Sequence, residues 1–196
     1  MVADVFLINP KWRFDLTDVM RPHVLLIAGP AGAGKTSMAT LIGSKPGWVV
    51  LSEDEFWGRL PRDPHLLRTD AEKAVIQAQV VAEARAHLAQ GKRVVIEFII
   101  YEDPPQPILF YADMLTYDGY TVAVRVLRPT LETLMHRQAQ RGNAHDTELS
   151  VEMRRLNAAH QLRCLHSPAI NATWVVDTSH LTIDESYATY FGHLVE

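Results

Sequence analysis

Gly29-Pro30-Ala31-Gly32-Ala33-Gly34-Lys35-Thr36 follows an unbroken apolar run at residues 24–28 and leads, from Ser37, into a segment that reads as a helix. The spacing is G-x-x-x-x-G-K-[ST], set between a strand and a helix as that pattern requires. Three glycines let the backbone turn tightly and aim several N–H groups at one concavity, where a polyphosphate replaces the water they would otherwise need. Lys35 adds a compact positive charge. Thr36 adds a hydroxyl suited to Mg²⁺, which takes one or two protein oxygens alongside phosphates and waters. A helix starting at Ser37 would turn its positive dipole end to the same anion. The plain alternative, a glycine-rich turn with no ligand, leaves the lysine and threonine unexplained. Gly29, Pro30, Ala31, Gly32, Ala33, Gly34, Lys35, Thr36 and Ser37 are therefore the expected phosphate-binding residues.

The chain has 196 residues and is 47% hydrophobic, enough for one domain with a substantial core. With 19 basic and 23 acidic residues the net charge is −4, so the chain has no general attraction to nucleic acid or to an anionic membrane. Neither is expected as a partner. A single cysteine, Cys164, excludes an internal disulfide and a thiolate zinc cluster and fits a reducing compartment. Asp4, Lys11, Arg13 and Asp15 interrupt the apolar residues near the N-terminus, which therefore reads as neither a leader nor a membrane span. A cytoplasmic location is the expectation.

Residues 1–22 hold two apolar clusters broken at Asn9-Pro10. This stretch is too apolar for a free tail. It is expected to pack on the domain through Trp12 and Phe14, with covering of the site or homodimerisation as further roles. Residues 48–51, 94–98, 122–127 and 174–176 repeat the continuous apolar character of residues 24–28. Five such runs separated by helical stretches predict an α/β fold with a parallel sheet. Thr69-Asp70-Ala71-Glu72 is a capping box, followed by Ile76, Val80, Ala84 and Leu88 at four-residue spacing until Gly91. Helices are also expected at 107–116, at 131–141 and around Leu149, Met153, Leu156 and Leu162. A last one starts at the capping box Thr182-Ile183-Asp184-Glu185 and runs to the C-terminus.

In an open parallel sheet, ligands gather beyond the carboxyl ends of the strands. Ser52-Glu53-Asp54-Glu55 follows the second run, and Glu97 stands inside the third between Ile96 and Phe98. A carboxylate among valines and isoleucines is costly unless a donor or a cation meets it. For Glu97, the alternatives are a local hydrogen bond or a role at Mg²⁺ or a substrate hydroxyl. Asp54 is the candidate general base, since transfer of a phosphoryl group to an alcohol needs an acceptor for the hydroxyl proton. Glu53 and Glu55 compete for that part. Arg137 and Arg141, four apart, share a helix face and can stabilise a transferring phosphoryl group. A solvated helix face is the alternative for them, as for Arg128, Arg154 and Arg155. Residues 56–68 mix Trp57, Leu60 and Pro61 with Arg59, Arg62 and Arg68, which suits a substrate-side wall; core packing would also account for the aromatics. The nine histidines show no metal-ligand spacing.

Together these residues resemble the P-loop small-molecule kinases grouped with nucleoside monophosphate and shikimate kinases. The closest pattern is that of the zeta-toxin and chloramphenicol phosphotransferase branch. Gly29 to Thr36 is similar to their phosphate loop, Leu51-Ser52-Glu53-Asp54-Glu55-Phe56 to the segment bearing their catalytic aspartate, residues 127–142 to their arginine-bearing lid start, and Val176-Asp177-Thr178-Ser179 to their last strand. Trp57 stands where zeta toxins carry an arginine, and the stretch before Val24 has no counterpart in the pattern. The resemblance implies a P-loop NTPase three-layer sandwich with five parallel strands in the order 2-3-1-4-5, over residues 23–196, with a small helical lid near 128–160. It implies ATP and Mg²⁺ as cofactors and a small hydroxylated molecule (an antibiotic, a sugar or a nucleoside) as acceptor. Catalysis would rest on Lys35, Asp54, Arg137 and Arg141, the metal on Thr36 and Glu97, and the substrate on Asp54, Trp57, Arg59 and Glu97. A nucleotide-dependent switch and a polynucleotide 5′-kinase are the alternatives. No Asn/Thr-Lys-x-Asp motif for reading guanine is present.

Overall fold

A computed structural model of the chain describes residues 21–60, 68–141 and 149–196. The expected anchors Trp12 and Phe14, the wall residues Pro61 and Arg62, and residues 142–148 of the expected lid lie outside the described residues. Five parallel strands form one sheet: β1 (Val24–Gly29), β2 (Trp48–Ser52), β3 (Arg93–Ile99), β4 (Val122–Leu127) and β5 (Val175–Val176). Their order is β2-β3-β1-β4-β5, as expected. Every residue of β1 is buried, which explains its unbroken apolar sequence: a central strand covered on both faces has no solvent side to mark with polar residues.

Side chains alternate between the two layers. Leu26, Ala28, Ile96 and Phe98 meet α3 (Asp70–Leu88) and α4 (Gln106–Tyr117), which contribute Ile76, Val80, Ala84, Ile108, Tyr111 and Leu115. Leu25, Ile27 and Val95 meet α1 (Lys35–Gly43) through Met38, Ala39 and Ile42, together with Tyr187, Phe191 and Leu194 near the C-terminus. Ile76 and Val80 are fully buried, each worth about 1.5–3 kcal/mol relative to exposure. The capping box of α3 forms in full: Thr69 accepts from the Glu72 N–H, and the Glu72 carboxylate accepts from the Thr69 N–H.

Short α2 (Glu53–Gly58) was not foreseen. After β4 come α5 (Leu131–Arg141), α6 (Val151–Cys164), a 3₁₀ turn at Ala172–Trp174, α7 (Ile183–Tyr190) and α8 (Gly192–Val195). One expectation needs correction: the last helix is interrupted at Phe191, whose φ of −126° leaves helical geometry while its ring is fully buried. The helix expected around Leu149, Met153, Leu156 and Leu162 forms as α6; Leu162 packs against the core, whereas Met153 and Leu156 are exposed, as is Leu149 ahead of it, and the buried positions are Ala158, Gln161 and Cys164. Among the described residues, no helix is long and apolar enough to cross a membrane.

All five strands run the same way, so Gly29, Ser52, Leu127 and the residues after Val176 lie along one edge of the sheet. The turn out of β1 is very tight. Gly29 has φ +147°, and a Cβ there would stand 2.6 Å from the Leu127 carbonyl oxygen of β4. Only glycine passes at that spot.

Candidate active site

A cavity of about 820 Å³ opens at this edge, lined by Lys35, Thr36, Asp54, Glu97, Arg137 and Arg141 among others. Its floor is the glycine-rich loop. Gly32 and Gly34 adopt φ values of +84° and +96°, and Gly34 caps α1 with no side chain in the way. The first-turn N–H groups of α1 have no partner within the helix, and their residues Lys35, Thr36 and Ser37 line the cavity, the arrangement that binds anions. Lys35 is buried, and its Nζ donates to the Pro30 carbonyl at 3.0 Å. Burial pulls its pKa down, the charges of Glu97 and Asp54 oppose this, and Arg141 adds to the lowering.

Strand register brings Glu97 to the loop. It pairs with Ile27 of β1 on one side and with Ser52, the last residue of β2, on the other. Its Oε1 accepts from Ser52 Oγ at 2.5 Å and from Thr36 Oγ1 at 3.2 Å. The acid in the apolar strand is therefore satisfied by two hydroxyls, one of them the threonine of the loop. An oxygen-only set of this kind suits a hard cation. Among the described residues no cluster of three or more Asp, Glu, His or Cys could hold a metal, so Mg²⁺ would depend on phosphates and water for the rest of its shell.

The three consecutive acids separate because they stand on α2. Glu53 turns into the core, where it accepts from Tyr111 Oη at 2.8 Å and Trp57 Nε1 at 3.1 Å. Burial raises its pKa, and these two hydrogen bonds oppose the rise. Asp54 faces the cavity with its side chain 58% exposed, and Arg68 Nη2 stands 3.7 Å from its Oδ1. Glu55 is exposed at the cavity rim. Ser52, the N-cap of α2, makes no capping hydrogen bond; its hydroxyl is spent on Glu97.

Two expected substrate residues stand elsewhere. Trp57 is buried, with its indole N–H on Glu53 and its ring beneath the Arg68 guanidinium at 4.4 Å, so it supports the wall from behind. Arg59 stacks on Phe56 at 4.3 Å and pairs with Glu83 of α3 at 3.3 Å, away from the cavity lining. Arg68, also expected on this wall, bridges Asp54 and Trp57, with the Tyr101 ring 6.0 Å away.

The paired arginines differ. Arg137 is committed to backbone carbonyls, donating to Thr178 at 2.7 Å, Ala33 at 3.3 Å and Leu181 at 3.4 Å, so it ties α5 to the loop and to the segment after β5. Burial lowers its pKa. Arg141 is exposed on the cavity wall, close enough for its charge to act on Lys35. Arg128, Arg154 and Arg155 are not among the lining residues. The reading missed Gln138 and Gln161, buried glutamines that hydrogen-bond the backbone of Ala31. Their signal was faint: a polar residue on a helix face that should be apolar.

Against known proteins, residues 24–164 match the profile of the AAA domain family. No curated protein matches the sequence. Among solved structures, a tunicamycin resistance protein from Deinococcus radiodurans superposes with TM-score 0.61 at 15% identity, over 87% of this chain and 94% of the other. A gluconokinase from Sinorhizobium meliloti gives 0.60 at 16% identity, over 89% and 92%. An APS kinase from Mycobacterium tuberculosis, solved with AMPPNP and APS, gives 0.59 at 16%, over 90% and 99%. These likenesses bear out the expected P-loop kinase fold. The chain belongs to the AAA domain family and folds as a P-loop kinase.

Proposed function

We propose that the protein is an ATP- and Mg²⁺-dependent phosphotransferase that moves the γ-phosphoryl group to a hydroxyl of a small molecule. The observation that carries this reading is Asp54: a half-exposed carboxylate opening on the same cavity as the Lys35 and Thr36 cradle. A switch that only binds nucleotide has no use for a solvent-facing acid opposite the phosphate loop. A kinase does, because phosphoryl transfer leaves the protein mainly to position, to neutralise charge and to accept one proton.

The loop N–H groups and Lys35 would hold the β- and γ-phosphates, with Lys35 drawing charge from the oxygens it meets. Thr36 and Glu97 would hold Mg²⁺, which when bound neutralises charge on the phosphate oxygens. Asp54 would accept the proton of the acceptor hydroxyl as its oxygen bonds to the γ-phosphorus and the bond to ADP breaks. Arg141 is placed to meet the transferring group, while Arg137 acts by holding Ala33, Thr178 and Leu181 in place. Arg68, over Trp57 and beside Asp54, would orient the acceptor.

The test is a panel of hydroxylated antibiotics, sugars, sugar acids and nucleosides incubated with ATP and Mg²⁺ and read by mass spectrometry. One acceptor should gain one phosphoryl group with stoichiometric ADP. Nucleotide-dependent association with a protein partner and no phosphorylated product would favour a switch instead, and labelling of a 5′-hydroxyl oligonucleotide would favour a polynucleotide kinase.

A further inference from the structure

Ala31, at the crest of the phosphate loop, is held on both sides by side chains more than a hundred residues away. Its N–H donates to Gln161 Oε1 of α6 at 2.7 Å, and its carbonyl accepts from Gln138 Nε2 of α5 at 2.8 Å. Both glutamines are buried. The orientation of each amide is fixed by chemistry, since an N–H can meet only the oxygen and a carbonyl only the nitrogen.

The consequence follows from planarity. In a trans peptide the C=O and N–H point in opposite directions. Anchoring the Ala31 N–H on α6 turns the Pro30 carbonyl the other way, and there it accepts from Lys35 Nζ at 3.0 Å and the Ala33 N–H at 3.2 Å. Anchoring the Ala31 carbonyl on α5 turns the Gly32 N–H away from the helix, and Gly32 lines the cavity. Gln138 also packs against the loop: a Cβ on Gly32 would lie 3.0 Å from its Cγ. The carbonyl oxygen of Gln138 has no hydrogen-bond partner among the described residues, so the amide is retained at a cost for the bond it donates.

We propose that Gln138 and Gln161 are positioning residues that set the two peptide planes flanking Ala31. Gln161 thereby places the Pro30 carbonyl that seats Lys35, and Gln138 aims the Gly32 N–H at the phosphates. This deepens the phosphate-binding reading and rests on it.

The test measures ADP and AMP affinity by calorimetry, with thermal melting, for wild type, Gln138→Met and Gln161→Met. Both glutamine variants should weaken ADP about 10–100-fold, the effect of misdirecting donors to a charged group, while AMP, which has no β-phosphate to place, changes by less than about threefold. Loss of stability alone would not move the ADP-to-AMP ratio. Folded glutamine variants with an unchanged ratio overturn the positioning role. If one glutamine variant does not fold, the other carries the test, and an unchanged ADP-to-AMP ratio there overturns the proposal. Wild-type protein that fails to bind ADP would instead overturn the phosphate-binding reading itself.

Discussion

On one side of the cavity, Lys35, Ala31 and Arg137 are fixed by hydrogen bonds from the loop itself and from three later segments of the chain. On the other, Asp54 is 58% exposed and meets Arg68 only at 3.7 Å, a separation at which an exposed pair contributes little. The nucleotide side is built in advance, whereas the acceptor side keeps its polar groups uncommitted until something binds. Substitutions on the acceptor side should therefore change turnover without changing nucleotide affinity, and those on the nucleotide side should change both. Asp54→Asn is the sharpest division. Turnover of the acceptor found by the panel should fall about 10²–10⁴-fold, the usual worth of a general base, with ADP affinity held within about twofold. A parallel fall in ADP affinity would show that the two sides are not separable.

Lys35→Met keeps much of the buried stem and removes the charge. It should lower turnover about 10²–10³-fold and weaken ADP as well, breaking the separation from the other side. Gly29→Ala comes next, and its effect is structural. The new Cβ meets the Leu127 carbonyl oxygen at 2.6 Å at a φ of +147°, and relief requires β1 and β4 to part where the loop begins. A loss of about 1–3 kcal/mol in stability is expected by denaturant unfolding, with ADP affinity falling in step. Unchanged stability would mean that this edge of the sheet yields more easily than its burial implies.

How much the sequence disclosed follows the same division. The sheet was legible because strands buried on both faces carry unbroken apolar runs, and α3 because Ile76, Val80, Ala84 and Leu88 declare one face. The phosphate loop was legible because it is local: one octapeptide carries its glycines, lysine and threonine. Gln138 and Gln161 were not, because their roles come from contacts with residues distant in sequence. On α6 the rule ran backwards, with Leu156 58% exposed and Gln161 buried, since the partner of that face is loop backbone, which needs an amide rather than a methyl group. Trp57 misled for a related reason: an indole near a site reads the same whether it forms the wall or stands behind it.

The smallest effect separates two acids that adjoin in sequence. Glu53 and Asp54 differ only in direction, one into the core and one into the cavity, so neutralising Glu53 should leave turnover within about twofold. Its effect should appear in stability instead. Burial lifts the Glu53 carboxyl above its ordinary 4.5, and the donors Tyr111 and Trp57 limit the rise. Between 4.5 and the raised value, the folded protein binds this proton and the unfolded chain does not. Glu53 therefore supports folding most below that window, and the support is lost as pH climbs through it, by at most about 1.4 kcal/mol per pH unit. Glu53→Gln is neutral throughout, and its amide can still accept from the indole N–H while donating to the Tyr111 oxygen. Its stability relative to wild type should increase as pH rises from below 4.5 toward neutrality, then level off. A difference that stays flat with pH would mean that the two donors fully offset burial and that Glu53 ionises at its ordinary 4.5, so that the core acid and the cavity acid are both charged near neutrality after all.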